Sequence, residues 1–259
     1  MQTYFQILRY ILDISYNGSR YHGWQNQSNA HSVQAELNIA LEKILRNKIT
    51  TLGSGRTDTG VHAEQQMVQF DLEEEIDLSN LKYKLNMVLP YDIAINNVYN
   101  TFPGFNVRFD AKSRTYEYRI IRKKDVFHKD LFLFTNMPLD IQIMNQAAKL
   151  LLSYNDFKCF SKYKTSVDHF LCNIYRAEWR EKDDILIFSI KANRFLRGMV
   201  RAIVGTLLNI GSGRMSIDEF IKVIESKKRK FAGNAVEQWW PLALRNNLAR
   251  LDPDRLATV

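Results

Sequence analysis

The densest group of residues able to do chemistry is Gly53-Ser54-Gly55-Arg56-Thr57-Asp58-Thr59-Gly60-Val61-His62-Ala63. Three glycines and three small hydroxyl residues surround a single carboxylate. Glycine permits positive φ and lets a ligand come close to the backbone, so such a loop is suited to presenting Asp58. Arg56, two residues ahead, is placed to hold a phosphate beside the acid. A tight turn with Asp58 as an Asx cap would use the same residue types. Asp58-Thr59-Gly60 also spells the active-site triplet of aspartic proteases, which need two carboxylates sharing a proton. The chain has no second Asp-Thr-Gly or Asp-Ser-Gly, so only a homodimer would supply the other acid, and Arg56 opposes the sharing.

Outside the loop, charge is the next signal. Against 28 acidic residues stand 36 Lys and Arg, leaving a formal +8 and a pI near 9.4. A basic balance fits an anionic partner or a solvating surface, and its distribution separates the two. Arg108, Lys112, Arg114, Arg119, Arg122, Lys123 and Lys124 crowd one stretch interleaved with Phe105, Phe109, Tyr116 and Tyr118. Cations beside stackable aromatics are what RNA contacts need. The histidines His22, His31, His62, His128 and His169 have no ligand spacing, so they read as structural and no metal site is expected. Trp24 reads as packing, and the run Lys227-Lys228-Arg229-Lys230 as a solvated helix end or a track for phosphates. Cys159 and Cys172 show no redox or metal spacing, and no apolar run approaches about 18 residues. A cytoplasmic protein without membrane span or signal peptide is expected.

Short alternating stretches interrupted by a few amphipathic helices point to an α+β fold with mainly antiparallel strands. Strands are expected at 10–16, 67–71, 93–98, 116–121, 174–180 and 185–190. Ser32 is a fair N-cap for a helix through Arg46 with Val33, Leu37, Leu41 and Ile44 on one side. Asp140 precedes a second helix, Asn193 a third running to Ile210 with Gly211 placed to stop it, and Ser216 with Glu219 fits a capping box. On that third helix Arg194, Arg197 and Arg201 would form one stripe at i, i+3 and i+7. Tyr116 and Tyr118 share a strand face, which makes a core aromatic pair one reading of both. Each half reads as strands followed by helices, so the chain divides into 1–105, 106–245 and a polar tail 246–259.

Gly55 to Ala63 closely resembles the signature loop of the tRNA pseudouridine synthase A family. The resemblance continues in family order through Tyr16-Asn17-Gly18-Ser19-Arg20-Tyr21-His22-Gly23-Trp24-Gln25, Ser32-Val33-Gln34, Leu89-Pro90-Tyr91-Asp92-Ile93 and Arg108-Phe109-Asp110-Ala111. It resumes in Arg114-Thr115-Tyr116-Glu117-Tyr118, Asn155-Asp156-Phe157 and Lys191 to Arg201. The resemblance implies the pseudouridine synthase fold, a mixed, mainly antiparallel sheet flanked by helices in two similar halves with a central cleft. It implies isomerisation of uridine to pseudouridine at positions 38, 39 and 40 in the tRNA anticodon stem-loop, by a homodimer without cofactor.

Residue by residue, the resemblance makes Asp58 the catalytic carboxylate, Tyr116 the active-site aromatic that supports a flipped uracil, and Arg201 the partner of the acid. Arg56 is read as a substrate-binding cation beside the acid, and Arg108, Arg114, Arg194 and Arg197 as the RNA-facing cations. A catalytically silent tRNA-binding module is the alternative. The sequence departs from the family at Asn106-Val107, at 162–171, which lacks an Arg-Thr element, and after Asn234, where Glu237-Gln238-Trp239-Trp240-Pro241 replaces a Pro-rich approach to a strand.

Overall fold

The computed structural model of the chain describes residues 7–127, 130–162, 168–235 and 242–245. These form two compact units, one holding the residues up to Lys112 and those from Ala243, the other Ser113–Leu242.

In the first unit, β1 (Leu8–Tyr16) is the middle strand. It pairs antiparallel with β3 (His62–Leu72) on one side and β4 (Ile93–Thr101) on the other. The short β2 (Leu52–Gly53) lies antiparallel on β3, and β9 (Leu242–Arg245) runs parallel to it, His62 opposite Ala243. Alternation along β1 buries Tyr10, Leu12, Ile14 and Tyr16 on one face. Ile11 points the other way and is buried with Met67, Phe105 and Val107. Because Phe105 and Val107 belong to this core, the chain leaves the unit only after Lys112. α1 (Val33–Leu45) starts where the Ser32 side chain accepts from the Ala35 N–H, and it ends at Arg46 in a left-handed turn. α2 (Leu78–Val88), capped by Asp77, was not anticipated: it buries only Leu81 and Leu85, too narrow a stripe to read by periodicity.

The second unit repeats a three-stranded antiparallel core with a different middle strand. β8 (Ile185–Ala192) lies between β5 (Arg114–Ile121) and β7 (Ile174–Lys182), and β6 (Leu133–Phe134) runs parallel to β5. α3 (Ile141–Leu150) is capped by Asp140, as expected, and packs on β7 and on α4 (Met199–Gly211). α5 (Ile217–Ser226) opens with the full Ser216–Glu219 capping box.

α4 corrects two expectations. It begins at Met199, not after Asn193, because Gly198 sits at φ 72°, a left-handed conformation no helix continues through. The Asn193 side chain instead accepts from the backbone N–H groups of Asn173 and Arg194, holding a turn. Arg194 and Arg197 therefore lie outside the helix, and the three-arginine stripe does not form. Gly211 does not stop the helix either: it is its last residue, and a Cβ there would strike the Met144 sulfur. It is the close approach of α3 to α4 that needs this glycine.

Candidate active site

The Asp58 loop is held from behind by the segment following β1. Trp24 N–H donates to the Thr57 carbonyl at 3.1 Å, and Gly60 N–H to the Tyr21 carbonyl at 3.3 Å. A Cβ on Gly23, which has φ 92°, would collide with the Thr57 carbonyl oxygen, and one on Gly18 with that of Val61. Two backbones in contact at these points leave no space for side chains, so the Tyr16–Trp24 motif exists to seat the loop. The Tyr16 hydroxyl, buried, lies 2.8 Å from Thr57 Oγ1 and donates to Gln66 Oε1 at 3.0 Å, while Gln66 Nε2 donates to the Gly55 carbonyl. Both shoulders of Arg56 are thereby tied to β1 and β3. α1 joins the frame through Val33 N–H to the Gly23 carbonyl and Gln34 N–H to the Trp24 carbonyl.

Within that frame Thr57 is buried, Asp58 half-exposed and Arg56 exposed. Val61 N–H donates to the Asp58 carbonyl at 3.2 Å, closing the turn. The result is a half-exposed carboxylate on a turn whose backbone is held on both sides. His62 is structural, as expected: its Nδ1 accepts from Gly18 N–H at 3.1 Å. Burial and a hydrogen bond to Asp92 push the Tyr21 phenol well up, and Asp92 also meets Arg20. Trp24 is core, as expected, packed under Gly53.

Arg108 and Phe109 end the first unit on an exposed turn. Asn106 Oδ1 accepts from both their backbone N–H groups, at 3.0 and 3.2 Å, and the Arg108 guanidinium lies over the Phe109 ring. The Asn106-Val107 departure thus preserves the presentation of Arg108: Asn106 makes the turn and Val107 is core. Of the aromatics interleaved with the basic run, Phe105 and Tyr118 are fully buried, Phe109 is 79% exposed and Tyr116 is half-buried. Sequence alternation could not separate Tyr116 from Tyr118, whose hydroxyl is buried without a partner among the described residues.

In the second unit Tyr116 meets Phe195 edge to face at 5.1 Å between ring centres. Arg114 Nη1 donates to the Asn193 carbonyl at 2.8 Å, tying β5 to the irregular segment before α4. Arg194 reaches His169, Arg197 is exposed, and Arg201 is 5% exposed in the first turn of α4. A buried cation at a helix start opposes the helix dipole. Burial pushes the Tyr118 phenol strongly up, and the Arg201 charge opposes that. Asp58 belongs to the first unit, Tyr116 and Arg201 to the second. The basic run 227–230 is partly engaged: Lys227 pairs with Asp156 at 2.8 Å, and Arg229 donates to the Gly233 carbonyl. His128, Trp239, Trp240 and the tail 246–259 lie outside the described residues, as does the start of the atypical segment, although Leu242–Arg245 forms β9 on β3. Burial pushes the thiols of Cys159 and Cys172 up, to about 12 and about 11, which makes them inert at neutral pH.

Two three-stranded antiparallel cores with flanking helices, and one carboxylate on a clamped glycine loop, place the chain among the pseudouridine synthases, isomerases of uridine. The family model described as tRNA pseudouridine synthase matches residues 14–110 and 147–242, and the chain belongs to that family. It is 47% identical over 229 residues to tRNA pseudouridine synthase A of Parabacteroides distasonis, covering 88% of this chain and 91% of that protein. The enzyme of the same name from Bacteroides fragilis is 45% identical over 88% of this chain and 92% of its own length. One from a Geobacillus species is 40% identical over 85% and 90%. Family membership overturns the aspartic protease reading of Asp58-Thr59-Gly60. No helix of the described residues is long and apolar enough to cross a membrane.

Proposed function

We propose that the chain isomerises uridine at positions 38, 39 and 40 of the tRNA anticodon stem-loop, with Asp58 as the catalytic carboxylate, as a cytoplasmic homodimer. The observation that carries the reading is the clamped Asp58 loop: a reactive carboxylate is useful only if its direction is fixed before substrate arrives. The reaction breaks the bond from C1′ to uracil N1 and forms one from C1′ to C5. The C5 hydrogen leaves as a proton and N1 gains one, so atoms balance with no oxidant, reductant or water consumed. One carboxylate therefore suffices, either by adding covalently to sugar or base or by taking a proton from the sugar while uracil turns.

The target base must leave its stack to reach such a group. Tyr116, half-buried with its ring propped by Phe195, is our candidate for the support under the flipped uracil, and stacking of that kind contributes about 1–3 kcal/mol per base. Arg201 is our candidate for the cation that serves the carboxylate, and its burial supports a role other than solvated surface. Arg56, Arg108 and Arg197, all exposed, are candidates for phosphate contacts, with Arg114 and Arg194 anchoring the segment between them. The test is Asp58→Asn with an unmodified tRNA transcript, scoring pseudouridine by carbodiimide-blocked primer extension at each position. We expect tRNA binding to survive and product to vanish; near wild-type product would remove Asp58 from the role, and product elsewhere than 38–40 would redefine the substrate.

A further inference from the structure

One face of the second unit's sheet carries a charge array that the isomerisation does not use. Side chains alternate across β5, β8 and β7. Tyr116, Tyr118, Phe188 and Trp179 turn to one face, where Arg201 of α4 bears on the Tyr118 hydroxyl. On the other face register aligns Glu117 with Ser189 and Glu178, and Arg119 with Ile187 and Arg180. The Glu117 carboxylate is nearly buried, yet each of its oxygens is taken by a different arginine. Arg180 Nη2 donates to Oε1 at 2.8 Å and Arg119 Nη2 to Oε2 at 3.0 Å. Beside them Arg176 pairs with Glu178 and Lys191 lies opposite Arg176.

Two arginines sharing one nearly buried carboxylate compensate its burial, and the Arg180 end of the pair stays at the surface. They are a good device for aim. A guanidinium is a planar fork with five N–H donors, and the bond to Glu117 anchors one amino group of Arg180 at the sheet. The Arg180 side chain remains 48% exposed after that bond. Pinned forks on a flat sheet match the bidentate geometry of phosphate oxygens.

We propose that Arg180, aimed by Glu117 as a positioning residue, forms a docking ledge for the RNA sugar-phosphate backbone. The ledge rests on the tRNA reading above and adds to it a binding surface apart from the residues assigned to the reacting base. It makes a prediction that net charge alone would reverse. Glu117→Gln removes a negative charge, so plain electrostatic attraction to a polyanion predicts tighter binding; loss of aim predicts weaker binding.

The experiment measures tRNA affinity across a salt series, with pseudouridine yield in parallel, for wild type, Glu117→Gln, Arg180→Met and Arg180→Lys. We expect Glu117→Gln to bind about 3- to 10-fold more weakly, the loss falling on KM and not on kcat, in line with a loosened phosphate contact. Arg180→Met loses roughly 0.7–0.9 from the log–log salt slope, one phosphate contact. Arg180→Lys, which keeps charge and loses the fork, falls between it and wild type. Binding by Glu117→Gln as tight as wild type or tighter, or an unchanged slope in Arg180→Met, overturns the ledge. If thermal melting shows Glu117→Gln unfolded, the two exposed Arg180 variants decide alone. A wild type that neither binds nor modifies tRNA would instead sink the reading of function, a result the parallel yield keeps distinct.

Discussion

The two units hold their chemical residues in opposite ways. In the first, the Asp58 turn is wedged between backbones: Gly18 and Gly23 allow Val61 and Thr57 within touching distance, and Tyr16 and Gln66 tie the flanks. In the second, Arg194 and Arg197 hang on an irregular segment, and only Arg201 is set inside a helix and buried. The difference follows the demands of the two tasks. Bond exchange at a carbon fails if the acid is misplaced by about 1 Å, which can cost 100-fold in rate. Long-range attraction of phosphate acts over a Debye length of roughly 8–10 Å and tolerates mobile side chains, whereas a bidentate contact of the kind proposed for Arg180 needs an aimed fork.

If that contrast is right, substitutions grade by which device they strike. After loss of the acid itself at Asp58, the largest effect is expected from Arg201→Met, which removes the one of these three arginines that is set inside a helix and buried. We expect kcat to fall on the order of 100- to 1000-fold, as when a preorganised electrostatic group is lost, with Arg201→Lys recovering part of it. A variant with unchanged kcat would return Arg201 to a purely structural role.

Gly23→Ala comes next, because it combines strain at φ 92° with a collision against the Thr57 carbonyl. Turnover should drop about 100-fold. Gly213→Ala is the matched comparison: its φ is 74°, but nothing lies within 4 Å of the added carbon. It should cost only about 1–2 kcal/mol of backbone strain, read as a lower Tm, with turnover kept. Equal turnover in the two variants would break the claim that the loop is clamped.

Two buried tyrosine hydroxyls then sharpen the comparison. Tyr16→Phe leaves Thr57 and Gln66 short of a partner and should cost about 1–2 kcal/mol. Tyr118→Phe removes a hydroxyl without a partner among the described residues and should be neutral or stabilising. Their pH behaviour is also predicted. Burial raises the Tyr118 phenol in the fold, so the contribution it makes is intact below its ordinary value near 10 and is lost as pH rises beyond that, when the unfolded chain ionises first. Thermal melts between about pH 9 and 11 should therefore decline less in Tyr118→Phe than in wild type.

A small effect is expected from Arg197→Met, an exposed residue on the irregular segment. It should weaken tRNA binding only a few-fold and take roughly 0.7–0.9 from the salt slope. A loss of kcat there would mean that the second unit, too, needs its cations exactly where they stand in the fold.

Much of this was legible from residue types alone, and the pattern of successes has a cause. α1, α3 and α5 start where Ser32, Asp140 and Ser216 predicted, since an N-cap bonds within its own first turn. The strands were found at their apolar cores, but β3 was read from Met67 only, because Gln65 and Gln66 break the alternation; Gln66 is buried all the same, bonded to Tyr16 and Gly55. α4 was begun too early because the left-handed Gly198 looks, in sequence, like any glycine near a helix start. The Asp58 loop was picked out by its glycines and hydroxyls, whereas the job of Gly18 and Gly23 was not.

What the sequence determined by itself was set within a few residues: the N-caps of α1, α3 and α5, strand alternation and the single carboxylate of the glycine loop at 58. Tertiary structure alone decided that Tyr118 is core while Tyr116 is accessible, that His62 accepts from Gly18, and that Glu117 is shared by Arg119 and Arg180. Each of those depends on strand register or on a backbone arriving from tens of residues away. Periodicity assigns a side chain to a face, but only the partner that packs on that face determines whether it is covered, bonded or left to meet a substrate.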